Sequence, residues 1–154
     1  MNWETLKEKV YYTDGSYREI YIRHASRDDW KKWAELINDS YHNFFHTYEY
    51  NSIANKIDFE MMVDYWDGNY YLISAAYIFI DHIQMNAHFG DEVIIQKVFD
   101  PVSVNSVEDH DRIVGFMKAL SEKLDKEVIL SPENSSHNNL ITVHRDKVEI
   151  PVLD

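Results

Sequence analysis

Two histidines, His42 and His46, are four residues apart in a segment that the sequence predicts to be helical. This spacing places two imidazoles on one face of a helix, where they can share a metal ion. The metalloprotease pattern also requires a glutamate directly after the first histidine, and Asn43 stands there instead. The pair is therefore half of a metal site, and the competing interpretation is two ordinary helix histidines. We predict no metal ligand.

A second pair, His82 and His88, flanks a predicted strand, and their separation of six residues places both on one face of it. Either imidazole could act as a base or a pH sensor, or could be a hydrogen-bonded histidine at the sheet edge. The acidic run at residues 108–111 coincides with a predicted helix start, where carboxylates favour the helix dipole. The four glycines form no phosphate-binding loop or nucleophile elbow. We predict no catalytic residue and no cofactor.

The composition indicates a single domain that spans residues 1–154, since 45% of the residues are hydrophobic and the length suits one core. The absence of cysteine excludes disulfides and thiolate ligands, and it suits a reducing cytosol. The N-terminal residues mix charged with apolar side chains, unlike a signal peptide. The longest apolar stretch, residues 70–80, is far shorter than the roughly 20 residues of a membrane span. We predict a cytoplasmic location and no membrane association.

The charge is strongly negative, because 15 Lys and Arg stand against 27 Asp and Glu, giving −12. Such a field repels nucleic acids and anionic lipids and attracts basic proteins, although acidity can also serve solubility alone. Four tyrosines lie between residues 11 and 21, too many and too polar all to be buried. The sequence thus predicts an exposed patch whose partner-binding residues are Tyr12, Asp14, Tyr17, Glu19 and Tyr21.

The elements that position these residues begin with an Asp14-Gly15 turn and a strand over residues 17–23, which buries Ile20 and Ile22. Arg18, on this strand, is expected to pair with a carboxylate. Residues 26–29 resemble a capping box, and apolar residues spaced by three and four predict a long helix from there to residue 48.

Residues 58–66 fit both a helix and a strand. We predict a short helix, capped by Asp58 and ended by Gly68, and a hairpin at Asp67-Gly68 is the alternative. A second long helix should begin after Ser106. Further strands are predicted at 70–80, 83–89, 92–99 and 128–130, followed by a polar loop over 131–139, and residues 140–144 with 148–152 are predicted as a terminal strand or a hairpin. The expected fold is α+β, one mostly antiparallel β-sheet of about five to six strands with two long helices packed against it.

Several motifs follow one another along the chain: Trp3, Leu6, Tyr12-Thr13-Asp14-Gly15-Ser16-Tyr17-Arg18-Glu19-Ile20-Tyr21-Ile22, Asp29-Trp30, Ala87-His88-Phe89, Phe99-Asp100-Pro101 and Ile129-Leu130-Ser131-Pro132-Glu133-Asn134. This order resembles a group of small, mostly uncharacterised bacterial proteins with a DGSxREIYI-type motif near the N-terminus. In size and acidity such proteins are similar to immunity proteins, which bind and block a cognate bacterial toxin. The resemblance implies no catalytic residues.

Two functional hypotheses follow. The first is a non-enzymatic acidic protein-binding domain, by analogy an immunity-type inhibitor that binds a basic toxin through its charge and exposed tyrosines. The second is a small hydrolase or ligand-binding domain, in which histidines and carboxylates converge only in three dimensions. We favour the first, because the sequence contains a partner-selecting charge and no assembled reactive group.

Overall fold

In the computed structural model, which describes residues 2–70, 74–133, 135 and 137–153, nine β-strands form one antiparallel sheet accompanied by four α-helices. The α-helices are α1 (Trp3–Lys9), α2 (Arg27–Ser40), α3 (Phe59–Trp66) and α4 (Val107–Leu124). The strands are β1 (Arg18–Ile22), β2 (His42–Thr47), β3 (Ser52–Ala54), β4 (Ser74–Ile80), β5 (Ile83–His88), β6 (Ile95–Phe99), β7 (Val128–Pro132), β8 (Ile141–His144) and β9 (Lys147–Glu149).

The strand order across the sheet is β3-β2-β4-β5-β6-β1-β7-β8-β9, and each neighbouring pair is antiparallel. Hairpins connect β4 to β5 and β8 to β9, as their short turns require. Strand β1 lies between β6 and β7, which come much later in the chain. The centre of the sheet therefore joins residues that are distant in sequence.

The α+β class and the antiparallel pairing agree with the sequence-based prediction, but the predicted number of five to six strands is wrong, since the described residues form nine. Strand β2 lies in a segment predicted as helix, β3 has three residues, too few to show an alternating pattern, and β9 overlaps the predicted terminal strand at 148–152. The predicted loop over 131–139 begins later, because β7 runs to Pro132, and residues 134 and 136 lie outside the described residues. Residues 71–73 of the predicted 70–80 strand also lie outside them.

The long helix predicted to reach residue 48 ends at Ser40, and the chain is extended from Tyr41 onward. Asn43, Phe45 and Thr47 are buried, and the residues between them are more exposed, which is the period of a strand. Apolar side chains at 41, 44, 45 and 48 fit a helical spacing equally well, so the sequence pattern could not separate the two. Hydrogen bonding of β2 to β4 decides in favour of the strand.

The capping box predicted at the start of α2 is confirmed. Ser26 Oγ accepts a hydrogen bond from Asp29 N at 3.2 Å, and Asp29 Oδ2 accepts one from Ser26 N at 3.0 Å. At α4 the predicted cap Ser106 accepts from Asp109 N at 3.1 Å. These local bonds satisfy amide groups that the first helical turn leaves without intrahelical partners.

We expect Ser26→Ala to lower the free energy of unfolding by about 1 kcal/mol, because the Asp29 amide loses its acceptor. Ser26→Asp retains a side-chain acceptor and should unfold within a few tenths of a kcal/mol of the wild type. Urea denaturation followed by circular dichroism measures both. Equal stability of the alanine and aspartate variants would contradict a role for this cap.

The ambiguous segment at residues 58–66 is a helix, as predicted. Asp58 Oδ1 accepts a hydrogen bond from Met61 N at 3.2 Å, and Gly68 follows the helix with a φ of +85°. That left-handed conformation favours glycine. Only Met62 of this helix is fully buried, so α3 is an outer layer of the fold.

One face of the sheet is covered by α2 and α4, which contact each other and several strands. The core between them is continuous and contains Trp30 and Trp33 from α2, Phe116 and Leu120 from α4, and inward side chains of the strands such as Ile20. Two cationic residues, Arg18 and Lys97, are also buried in this layer. Among the described residues, no helix combines the length and the apolar character needed to cross a bilayer.

Candidate partner-binding surface

On the opposite side of the sheet, from β2 to β6, no helix of the described residues covers the strands, and we call this side the open face. Strand register places directly paired residues on the same side, so the row Phe44, Tyr77, Asn86, Val98 and Glu19 runs straight across it. These five side chains are all partly exposed. The open face is therefore apolar at the β2 end and polar toward β1.

The β2 end of the open face holds an aromatic cluster. We define it by the six residues His42, Phe44, His46, Tyr48, Tyr77 and Phe79. The rings of His42 and Phe44 are 4.8 Å apart and those of Phe44 and Phe79 5.9 Å. His46 packs on Tyr48 at 4.3 Å, and the Tyr48 and Tyr77 hydroxyl oxygens are 3.1 Å apart. Edge-on contacts of this kind are favourable ring geometries.

Sequence reasoning missed this cluster because it assigned residues 42–48 to a helix. The signal that could have found it is alternation: positions 42, 44, 46 and 48 and positions 77 and 79 all carry rings. Alternating residues of adjacent strands meet on one side of a sheet. A correct strand assignment for β2 would therefore have brought the rings together.

The residues predicted to bind a partner are held in different surroundings. Asp14 forms the turn before β1, because its Oδ1 accepts hydrogen bonds from Ser16 N at 3.0 Å and Ser16 Oγ at 2.5 Å. These two bonds lower the pKa of the Asp14 carboxyl. Tyr12 lies under the guanidinium of Arg18, whose Cζ is 4.0 Å from the ring centroid. The turn therefore uses these residues structurally.

The expected pairing of Arg18 with a carboxylate is wrong, because its hydrogen bonds end on oxygens of the N-terminal segment. The guanidinium donates to the carbonyls of Val10 at 2.8 Å, Tyr12 at 2.5 Å and Tyr17 at 3.2 Å. It also reaches Ser16 Oγ at 3.2 Å. Arg18 thus fastens the chain before β1 to the sheet.

Of the predicted tyrosines, Tyr17 is 44% exposed and Tyr21 is 3% exposed. The Tyr21 hydroxyl bonds Asn139 at 3.4 Å, so the chain after β7 covers this part of the sheet. Glu19 is half-buried on the open face, and burial, assisted by the charge of Glu133, raises the pKa of its carboxyl. Contact of a partner with the predicted residues therefore stays a prediction; Asp14 and Tyr17 are exposed, Tyr12 and Glu19 are partly exposed, and Tyr21 is buried.

Near Tyr17, the open face has a shallow depression of about 230 Å³, whose wall includes Gln84, Asn86 and Asp100. His82, in the turn between β4 and β5, forms one rim of it. Amide and carboxylate groups dominate this wall, so the depression offers hydrogen bonds rather than an apolar anchor.

The four candidate histidines do not converge. His42 and His46 lie on β2, His82 lies in the β4–β5 turn, and His88 lies at the end of β5. Within the described ranges, no group of three or more His, Asp or Glu side chains could hold a metal ion. The arrangement thus supplies neither a metal centre nor an acid–base pair of histidines.

The chain was compared with known proteins. It matches no protein-family model and no curated protein. A solved structure that it resembles is the 1.75 Å crystal structure of the toxic C-terminal tip of CdiA from Pseudomonas aeruginosa in complex with immune protein. The similarity has a TM-score of 0.55 at 11% sequence identity and covers 87% of this chain and 97% of that chain. The two chains share a fold.

Because only 11% of the residues are identical, the likeness says nothing about which side chains bind. The surface has to be inferred from this chain's own geometry. The open face contains the aromatic cluster at one end and the polar depression at the other, and the histidine at the rim of that depression is part of a charged network.

His82 is held by three acceptors. Its Nδ1 is 3.0 Å from Asp81 Oδ2, and its Nε2 is 2.9 Å from the Ser103 carbonyl and 3.3 Å from Asp109 Oδ2. The bond to Asp81, then the bond to Ser103 and the charge of Asp109, raise the pKa of His82. Asp109 is also bonded by Arg112 at 2.7 Å. The protonated imidazole thus ties the β4–β5 turn to the start of α4.

We expect His82→Gln to lower the melting temperature more at about pH 5.5 than at about pH 8.5. A raised pKa means that His82 stabilises the fold fully below its unfolded value of 6.5 and that this contribution is lost as the pH rises through the folded value. Thermal melts at both pH values give the difference between wild type and variant. His88→Gln, at an exposed histidine, is the control. A pH-independent difference for His82→Gln would contradict the assignment.

Proposed function

We propose that this protein is a non-enzymatic, immunity-type inhibitor that binds and blocks a basic bacterial toxin. The observation that carries the proposal is the shared fold with a chain from a complex of a toxin tip and an immune protein, over 97% of that chain. Each chain in that complex is a protein bound to another protein. The fold is therefore one that supports specific protein association.

The charge supports the inhibitor side of such a pair. A net charge of −12 steers the protein toward a basic partner and raises the rate of association with it. Toxins that act on nucleic acids need basic surfaces to approach phosphates, and an acidic protein can occupy such a surface. The four candidate histidines do not come together among the described residues, and His82, which contacts Asp81 and Asp109, links the β4–β5 turn to α4, so the histidines do not favour the hydrolase alternative.

The open face is the binding surface in this proposal. It is the side of the sheet without covering helices, and it contains Tyr17 and Glu19 of the residues predicted from sequence. Contact with the other three, Tyr12, Asp14 and Tyr21, is also part of the proposal. A partner that reached Tyr21 would have to displace Asn139, whose side chain bonds the tyrosine hydroxyl.

The test is capture followed by neutralisation. The tagged full chain is incubated at low salt with an extract of cells that carry its gene, washed with increasing salt, and the retained proteins are identified. We expect one basic protein that arrests growth when expressed alone and that is harmless when this chain is expressed with it. A retained protein that is not toxic, or toxicity that this chain does not relieve, would overturn the proposal.

A further inference from the structure

We propose that the aromatic cluster, with the adjoining edge strand β3, is the anchor site for arginine or lysine side chains of a basic protein partner. This inference rests on the proposed function and deepens it, because it names where on the open face the partner is held. Three independent features of the described residues carry it: an apolar depression, uncovered apolar side chains, and a local excess of carboxylates.

The depression lies between β3, β2 and β4. It measures about 220 Å³, has apolar walls, and is lined by Phe44, His46, Ile53 and Tyr77. Register explains the lining, because His46 pairs with Ile53 on one side and Phe44 pairs with Tyr77 on the other. Apolar pockets of this kind accept one large side chain of a partner, and Arg is among the residues enriched at such positions.

Side chains at the rim of the depression and in the turn before β3 are exposed. Ile53, which lines the depression, is 69% exposed, Tyr50 in that turn is 64% exposed, and no strand of the described residues lies beyond β3 in the sheet order. Neighbouring exposed apolar side chains around an aromatic pocket are typical of protein interaction sites. Exposed apolar residues elsewhere in the chain, Val93 and Val102, serve as controls.

The segment that contains β3 is acidic, and its charge indicates the partner's chemistry. Residues 48–70 carry a net charge of −4, a third of the −12 of the whole chain, from Glu49, Asp58, Glu60, Asp64 and Asp67 against Lys56. Within the described part of the chain, Asp67 is neutralised by Arg27 at 3.0 Å, while Asp58, Glu60 and Asp64 form no ion pair with Lys or Arg.

A ring pair lies in the same acidic segment. Tyr50 and Tyr70 contact each other with centroids 5.8 Å apart. Partial desolvation, a hydrogen bond with Tyr50, and the charges of Asp64 and Asp58 all raise the pKa of the Tyr70 phenol. Aromatic rings attract guanidinium and ammonium groups through cation–π forces, and the negative charge of the segment adds Coulomb attraction.

The same charge argues against other occupants of this face. A second copy of the chain would bring two proteins of charge −12 together with their acidic segments in contact. Nucleic acids would be repelled for the same reason. A basic protein surface gains from both the apolar pocket and the carboxylates, so it is the occupant that fits.

The first experiment uses a defined probe, a blocked peptide in which three arginines alternate with two leucines. It is titrated into the full chain at low salt, and binding is mapped by NMR shifts of side-chain methyl and ring protons. We expect shifts confined to Ile53, Phe44, Tyr77 and their neighbours, and none with a peptide carrying glutamates in place of the arginines. Shifts spread evenly over the acidic surface, or centred on the depression beside Tyr17, would overturn the inference.

Variants make the same test quantitative. The double variant Tyr50→Ala and Ile53→Ala should weaken the peptide about tenfold, as loss of an interface anchor does, and Val93→Ala with Val102→Ala should leave affinity unchanged. Asp64→Asn should weaken binding at low salt, while Asp146→Asn, a charge-matched change in the distant β8–β9 turn, should not. Because Tyr50 and Ile53 are exposed, these variants keep the fold, which a thermal melt verifies.

The test of the anchor site and the test of the inhibitor proposal can fail independently of each other. If a toxin is captured and neutralised but the Tyr50→Ala and Ile53→Ala variant neutralises it equally well, the anchor site is wrong and the inhibitor proposal stands. If the peptide binds the cluster while the captured protein proves not to be toxic, the anchor site stands and the inhibitor proposal fails.

Discussion

Replacement of Lys97 by methionine should stabilise the protein at about pH 6 by on the order of 4 kcal/mol. Lys97 lies on β6 with its side chain 1% exposed, between Trp33 of α2 and Phe116 of α4. Its Nζ is 5.8 Å and 5.5 Å from the two ring centroids, and it has no hydrogen-bond partner among the described residues. An unpaired ammonium in such a place is costly to bury.

The size of the effect follows from the pKa. Burial lowers the pKa of Lys97 from 10.5 to about 7, and each unit corresponds to about 1.4 kcal/mol of preference for the neutral amine. Methionine has nearly the same length and flexibility and needs no partner, so it fills the space without the charge. Cation–π contacts with the rings of Trp33 and Phe116 offset part of the cost of burying the ammonium in the wild type. The stabilisation that follows from the pKa alone is therefore an upper bound.

The pH dependence provides the diagnostic. Between about pH 7 and pH 10.5 the unfolded lysine is protonated and the folded one is neutral, so the wild type gains stability as the pH rises. Below pH 7 both forms are protonated and the full cost applies. The advantage of Lys97→Met should therefore be largest at about pH 6 and shrink toward about pH 9.5, as measured by urea denaturation.

Lys31→Met is the matched control, since Lys31 is exposed on α2. It should change stability by less than about 0.5 kcal/mol at either pH. Two results would contradict the prediction: a Lys97→Met protein less stable than the wild type at about pH 6, or one equally stabilised at both pH values. Either would mean that burial of the Lys97 ammonium does not destabilise the wild type.

Replacement of Arg18 by methionine should have the opposite effect, a loss on the order of 3 kcal/mol. The buried guanidinium bonds the carbonyls of Val10, Tyr12 and Tyr17, and all three lose this bond in the variant, although the Tyr17 carbonyl keeps its bond from Glu133 N. Arg18→Lys keeps the charge but has neither the planar fork nor the number of donors needed, so it should be intermediate. Urea denaturation of the wild type, Arg18→Lys and Arg18→Met gives the order of their free energies of unfolding.

Arg145→Met is the control for Arg18→Met. Its side chain is 62% exposed and bonds Asp125 at 2.6 Å, an exposed pair of the type that contributes little to stability. If Arg18→Met cost no more than Arg145→Met, the carbonyl bonds would not hold the N-terminal segment.

These bonds give the N-terminal motif a structural meaning. Asp14 and Ser16 close the turn, Gly15 has a φ of +89°, and Arg18 fastens the turn to the sheet. A left-handed glycine and a buried arginine are each difficult to replace. The motif around Asp14 and Arg18 therefore corresponds to a folding element, and it does not by itself identify a binding site.

Local chemistry was sufficient for much of the fold. The capping residues Ser26, Asp58 and Ser106 were identified from their neighbours in sequence, because a cap bonds amides only two or three residues away. Strand β1 and helix α4 were identified by period, since each buries one face against a single layer. The helix at residues 58–66 was predicted from the same local features, its cap residue and the spacing of its apolar residues.

Other features depended on contacts between distant residues. Strand β2 exists because β4, more than thirty residues later, supplies its hydrogen bonds, and the spacing of its apolar residues alone also fits a helix. The aromatic cluster depends on that pairing. The sequence around Lys97 is that of an ordinary strand lysine. Its burial depends on packing against Trp33 of α2 and Phe116 of α4, which come from different parts of the chain.

The sequence by itself determined the charge, the α+β class, the helix starts and the first turn, because these depend on composition or on bonds within a few residues. Only the tertiary structure decided the nine-stranded order, the burial of Arg18 and Lys97, and the gathering of rings on the open face. The physical reason is that an antiparallel sheet brings together side chains from segments far apart in the chain, and the pairing of those segments is set by the packing of the whole core.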